Sequence, residues 1–172
     1  MDALLVALLM AVLVTATYTD LRSSRIPNLL TFTAMGTGPV AHACLAGFQG
    51  IFFSLEGLAV GLGLFFLLYV PGGLGAGDVK LMGAVGAMVG PYGAFISGLL
   101  AILVGGAYAV TAMCYQWGIA GTGRKMAHAL QGVLSGGEGW TQELKLPFHL
   151  RYGLAIVGGT LLFLLGVSPF GG

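Results

Sequence analysis

Charge is scarce in this sequence, and that scarcity excludes a soluble protein. Lysine and arginine account for 7 of the 172 residues and aspartate and glutamate for 6, so that 8% of the chain is charged while 57% is hydrophobic. A soluble domain normally has about 25% charged residues. The composition therefore predicts an integral membrane protein in a lipid bilayer. The formal net charge of +1 says little about partners, and for a protein of this class we expect no nucleic-acid partner.

Residues that bind metals are also few, and their spacing excludes the common metal sites. Cys44 and Cys114 are the two cysteines, and they form no Cys-x-x-Cys pair from which a zinc site could be built. The sequence contains no His-Glu-x-x-His, the motif of zinc peptidases. An intramembrane serine peptidase would need a histidine at the depth of Ser97, and none of the 3 histidines is placed there. We therefore expect neither a metal nor a cofactor.

Long apolar runs and glycine are what the sequence has instead. Glycine accounts for 31 residues, and such small residues allow transmembrane helices to pack closely. The apolar runs predict an all-α bundle of about six transmembrane helices, in a single domain 1–172, at residues 3–18, 29–45, 51–70, 79–89, 94–117 and 150–167. Pro39 predicts a kink in the second helix. The polar segment 118–148 is the only long loop, and it predicts a short surface helix at about 124–134.

The basic residues predict how this bundle is oriented. The first apolar run has no basic region before it and no cleavage pattern after it, so we expect a retained helix. With six helices, the segments after helices one, three and five share one side of the membrane and hold every basic residue: Arg22, Arg25, Lys80, Arg124, Lys125, Lys145 and Arg151. Basic residues favour cytoplasmic loops, so this side is predicted to face the cytoplasm from the inner (plasma) membrane.

Two aspartates are predicted to lie on that cytoplasmic side. Of the three aspartates, Asp2 is terminal, Asp20 follows the first apolar run and Asp78 precedes the fourth. The segment before Asp78 contains four glycines and a proline, so its backbone can bend and approach another chain closely. An ionisable residue at the edge of a membrane bundle is a functional candidate. Two neighbouring carboxylates share one proton, which predicts an aspartyl peptidase pair that activates water.

Two motifs contain these acids. The first is Asp-x-Arg-x-x-x-Ile-Pro-Asn, formed by Asp20, Arg22, Ile26, Pro27 and Asn28. The second is Gly-x-Gly-Asp-x-Lys, formed by Gly75, Gly77, Asp78 and Lys80. On these motifs the chain resembles the type IV prepilin peptidases, which are GxGD membrane aspartyl peptidases. Its small size is similar to the peptidase-only members of Flp or tight-adherence pilus systems, and archaeal preflagellin peptidases have a similar build. The Pro147-Phe148 step resembles the family's closing segment more loosely.

The resemblance implies an activity and a set of site residues. Members of the family cleave the leader peptide from prepilins or prepilin-like proteins on the cytoplasmic side. Asp20 and Asp78 match the catalytic pair, and the other motif residues are expected to support the site or bind substrate: Arg22, Pro27, Asn28, Gly75, Gly77 and Lys80. Larger members have an insertion with Cys-x-x-Cys motifs, linked to N-methylation of the new terminus. Because this chain lacks those motifs, we expect a peptidase without N-methyltransferase activity.

Simpler interpretations of the same residues remain open at this point. Asp20 and Asp78 are then ordinary loop acids, with Asp20 paired to a nearby arginine. Lys80 either anchors the topology at the interface or sets the charge state of Asp78. Asn28 either caps the second helix or holds backbone near Asp20. For the whole protein, the alternatives are a small transporter and a non-catalytic assembly subunit of a pilus or secretion system. Acids that cluster at one face, without clear internal repeats, favour the peptidase.

Overall fold

The computed structural model describes residues 3–23, 26–70, 74–134 and 152–166. They form four helices: α1, Ala3–Ser23; α2, Asn28–Tyr69; α3, Ala76–Leu134; and α4, Tyr152–Leu164. No strand occurs in this part of the chain, so the predicted all-α class is confirmed for it. Some predicted features lie outside the described residues: Arg25, Lys145, Arg151, the Pro147-Phe148 step, residues 71–73 and the loop beyond Leu134.

Helix α1 is longer than its predicted span and includes Asp20. It runs through the expected polar interruption at Thr19 and ends at Ser23. No helix breaker occurs before Pro27, and a single buried stripe continues to the end of the helix: Leu5, Leu9, Leu13, Ala16 and Asp20. Steps of three or four residues keep these side chains on one face. Asp20 is therefore held by regular helix and occupies the last position of a packed apolar stripe.

Helix α2 reverses its direction at Gly47. This glycine has φ 60° and ψ −141°, backbone angles that side chains disfavour. Beyond it, Gly50 lies directly against the carbonyl of His42, which a straight helix would not allow. Pro39, where the sequence predicts a kink, lies inside helical backbone, and the departure from helical geometry falls at Gly47.

Helix α3 supplies the centre of the bundle. Its backbone leaves helical geometry at Gly90 (φ 77°, ψ 178°) and at Gly118 (φ 70°, ψ 166°). A Cβ placed on Gly86 would lie 3.2 Å from the Cβ of Ala94, so the chain also turns back at Gly90. Residues 81–90 are all buried, as expected of a helix that is apolar all round. The stretch 119–134 is helical, so the expected short helix is present but begins before residue 124.

Where helices α2 and α3 cross, their backbones are in direct contact. Gly57 lies against the carbonyl of Gly86, and Gly61 lies against the carbonyl of Met82, with no room for a side chain at either glycine. The buried Ser54 Oγ donates a hydrogen bond to the carbonyl of Ala87 over 2.6 Å. Helices in lipid gain little from hydrophobic burial, so close backbone packing of this kind stabilises the bundle.

Among the residues that the structure describes, three helical stretches are long and apolar enough to cross a membrane: Ala3–Ser23, Asn28–Tyr69 and Ala76–Tyr115. Tyr152–Leu164 is a shorter apolar helix. Large apolar side chains such as Leu29, Phe48 and Leu67 are exposed on the outside of the bundle, where lipid would cover them. These features are those of a membrane protein, and the count of about six crossings stays a prediction.

Candidate active site

The two motif segments meet at one end of the bundle. Ile26, in the connection between α1 and α2, packs against Gly77 at the start of α3, where a Cβ would lie 3.3 Å from the Cβ of Ile26. The Lys80 Nζ donates a hydrogen bond to the Asn28 Oδ1 over 2.9 Å. Gly77 is therefore needed for close approach, and the segments that contain the two acids are joined by one apolar and one polar contact.

Asp78 lies in the first turn of α3 and is 9% exposed. Its backbone N–H donates to the carbonyl of Gly75 over 3.0 Å. The N–H of Gly75 in turn donates to the Asp78 Oδ2 over 3.2 Å. A Cβ on Gly75 would also lie 3.2 Å from that oxygen, so a side chain there would crowd the carboxylate. The free N–H groups of a helix N-terminus favour a carboxylate at this position.

Asp20 approaches the same place from α1 and is 6% exposed. It lies close enough to Asp78 for the two carboxylates to interact electrostatically. Gly153 of α4 also faces Asp20, since a Cβ placed on this glycine would lie 2.8 Å from the Asp20 Oδ2. The structure thus brings together two buried acids that are far apart in sequence, with helices α1, α3 and α4 around them.

The other motif residues differ in how close they come to this pair. Lys80 is held at the Asn28 amide and lies 4.9 Å from the centre of the Phe32 ring, a cation–π distance. Asn28 therefore does not cap α2, whose N-terminus has no side-chain cap. Pro27 directly precedes α2, and its carbonyl accepts a hydrogen bond from Thr31.

Arg22 points away from the acids. Its side chain is exposed, and its Nη1 donates a hydrogen bond to the Tyr18 hydroxyl over 2.9 Å on the same helix. This contact fits a residue at the membrane interface better than one that binds at the carboxylates.

Sequence reasoning missed the contribution of α4. Tyr152 and Gly153 open this helix, and Tyr152 lies close enough to Asp78 for an electrostatic interaction. Nothing in the local sequence signals this role, because Gly153 is one of 31 glycines and the helix follows a long polar segment. Only the packing of α4 against α1 and α3 shows it.

The arrangement is suited to acid–base chemistry. Two carboxylates in a partly dry site hold one proton between them, so one can accept a proton from water while the other donates to a peptide group. Within the described ranges, no group of three or more histidine, cysteine, aspartate or glutamate side chains is placed to hold a metal ion.

Comparison with known proteins identifies the family. The model of the type IV leader peptidase family matches residues 7–110, which is more than half of the chain and includes both acids and both motifs. No curated protein and no solved structure matches the chain. The match ends within α3, before α4 begins. A family model that covers both motifs, together with acids that meet in the fold, shows that the chain belongs to the type IV leader peptidase family.

Proposed function

We propose that this protein is a membrane aspartyl endopeptidase that cleaves the leader peptide from type IV prepilins or prepilin-like proteins. Membership of the family makes it a protease, and the proposal adds the catalytic residues, the substrate and the side of the membrane. The observation that supports it is the meeting of Asp20 and Asp78, both buried, at the junction of the two motif segments. Ordinary loop acids would be exposed to solvent and would have no reason to converge.

The proposed mechanism uses the pair as a unit. One carboxylate removes a proton from water, and the other, protonated, donates to the oxygen of the scissile carbonyl. The reacting peptide must be extended, because a helix hides its carbonyls in internal hydrogen bonds. Gly75 is exposed beside Asp78 and has no side chain, so it leaves room in which such a strand can lie. Protons on coupled acids belong to the pair, so neither residue is assigned as the base alone.

We place the site at the cytoplasmic face of the inner membrane. Lys80 and Arg22 lie within a few residues of the two acids, and basic residues favour the cytoplasmic side. A prepilin has a basic leader followed by an apolar helix, so its helix would lie in the bilayer beside the bundle while the leader junction reaches the acids. This geometry favours a peptidase over the two alternatives, a small transporter and a non-catalytic assembly subunit, since neither requires paired buried acids at one end.

The direct test is cleavage by the purified full chain in lipid nanodiscs. We would supply a Flp-type prepilin, another type IV prepilin and an archaeal preflagellin, and follow each by gel shift and by the mass of the new N-terminus. We expect one cut at the leader junction of at least one substrate, with a rate unchanged by EDTA. Absence of any cut in all three would contradict the proposal, and a cut that EDTA abolishes would replace it with metal chemistry.

A second prediction, with a smaller expected effect on the rate, concerns the contact between Lys80 and Asn28. Loss of this bond loosens the junction between the motif segments, so we expect Lys80→Met and Asn28→Ala each to lower kcat/KM about fivefold to tenfold, near 1 to 1.4 kcal/mol. The double variant should lose little more than the worse single variant, because both remove one interaction. Kinetics of all four proteins would show this, and fully additive losses would mean that the residues act separately.

A further inference from the structure

Helix α4 reaches the acids although it lies outside the residues that define the family match. The match ends at residue 110, whereas α4 spans Tyr152–Leu164. Its first two residues lie near different acids: Gly153 packs on the Asp20 carboxylate, and Tyr152 is within electrostatic range of Asp78. Tyr152 is also held in place, because its ring packs on the Cα of Gly105 in α3. The start of α4 is therefore fixed against α3 and lies in contact with the Asp20 carboxylate.

Gly153 lies directly against the Asp20 carboxylate, with no side chain between them. A Cβ built on Gly153 would lie 2.8 Å from Oδ2, 3.3 Å from Cγ and 3.6 Å from Cβ of Asp20. The first of these distances is too short for a real Cβ, so a methyl group there would have to displace something. What it meets is the end of a short side chain and not backbone, so the Asp20 carboxylate can rotate away while the helices stay where they are.

We propose that the first turn of α4 forms a wall of the catalytic site and that Gly153 is a positioning residue for Asp20. This inference rests on the proposed function, because it assigns Gly153 a role through Asp20. Because Gly153 has no side chain, the Asp20 carboxylate can lie directly against the start of α4, and a methyl group there would move it from this position. A displacement on the order of 1 Å in a catalytic group can lower a rate about 100-fold.

Two other glycines of α4 provide matched controls. Gly158 has open space, since a Cβ there would meet only the Val104 Cγ1, at 3.7 Å. Gly159 packs against the backbone of α3, where a Cβ would overlap the amide nitrogen of Ala101 and lie 2.6 Å from the carbonyl oxygen of Ser97. The same substitution to alanine therefore tests three situations in one helix: contact with a catalytic side chain, no contact, and contact with backbone.

The experiment compares Gly153→Ala, Gly158→Ala and Gly159→Ala in the full chain in lipid nanodiscs. For each variant we would measure the melting temperature, and kcat and KM for a prepilin that the wild type cleaves. We expect Gly153→Ala to lower kcat about 10- to 100-fold, with KM within about twofold and an unchanged melting temperature. Gly158→Ala should match wild type in kcat and KM, with a melting temperature that is unchanged or slightly raised. Gly159→Ala should lower the melting temperature.

Two outcomes would overturn the role of Gly153. One is a kcat of Gly153→Ala within twofold of wild type. The other is a loss of kcat that follows a loss of melting temperature, as in Gly159→Ala, because that would be a packing effect. An Asp20→Asn variant in the same series separates this inference from the function on which it rests. If Asp20→Asn is inactive and Gly153→Ala is normal, only the inference fails, whereas an active Asp20→Asn removes the basis of both.

Discussion

Asp20→Asn and Asp78→Asn should each abolish leader cleavage, with kcat at least about 1,000-fold below wild type. The side-chain amide of asparagine has nearly the shape of the carboxyl group that it replaces, but it cannot take up or release a proton at physiological pH. General acid–base groups typically contribute about 100- to 10,000-fold to a rate, and here one residual acid cannot serve both roles. In the proposed mechanism Asp20 and Asp78 act as a pair, so the double variant should be no slower than either single variant.

The control for this experiment is a carboxylate that lies elsewhere. Glu56 is exposed on α2, beside the glycine crossing and away from the motif segments. Glu56→Gln makes the same chemical change and should cleave at the wild-type rate. The wild type, the two single aspartate variants, their double variant and Glu56→Gln should be compared at equal amounts in the membrane, with cleavage read as a gel shift of a co-expressed prepilin. Wild-type cleavage by either aspartate variant would show that the residue is not catalytic.

The pair itself could be predicted from sequence because each acid lies in a short motif at the edge of an apolar run. What the sequence could not show is how Asp20 is held. Its neighbours suggest a polar loop, whereas packing extends α1 to Ser23 and places Asp20 at the end of a buried stripe. Tertiary burial thus overrides the local polarity of Thr19-Asp20, since the stripe continues at helical spacing.

The sequence predicts that the second helix is interrupted, but it does not predict the residue at which this happens. Pro39 is the strongest local breaker in α2, yet the reversal occurs at Gly47, whose positive φ needs glycine. A proline tolerates helical φ, and in a membrane bundle neighbouring helices can satisfy the carbonyl that it frees. The contact between Gly153 and Asp20 lay beyond sequence reasoning altogether, because it depends on which face α4 turns to α1.

The crossing of α2 and α3 should be the part of the fold least tolerant of substitution. Gly57→Ala would place a methyl group into the carbonyl of Gly86, and backbone on both sides prevents a local adjustment. The helices would have to separate, which disturbs the buried bond from Ser54 to the carbonyl of Ala87 next to it. Overpacking costs roughly 1–3 kcal/mol in ordinary cores, and we expect the upper end here, a fall in Tm of about 6–12 °C.

The matched control lies on the same stretch of helix. Gly63 has nothing within 4 Å of a Cβ, so Gly63→Ala should leave Tm unchanged or raise it slightly through better helix propensity. We would measure prepilin cleavage by each variant in nanodiscs first and then its thermal melt, so that an effect on activity is distinguished from an effect on stability. If both variants melt alike, the close crossing does not determine stability. If Gly57→Ala alone melts early, the first segment of α3, which contains Asp78 in its first turn, is held in position by glycine contacts at its opposite end. The acids and the crossing would then be two ends of one rigid element.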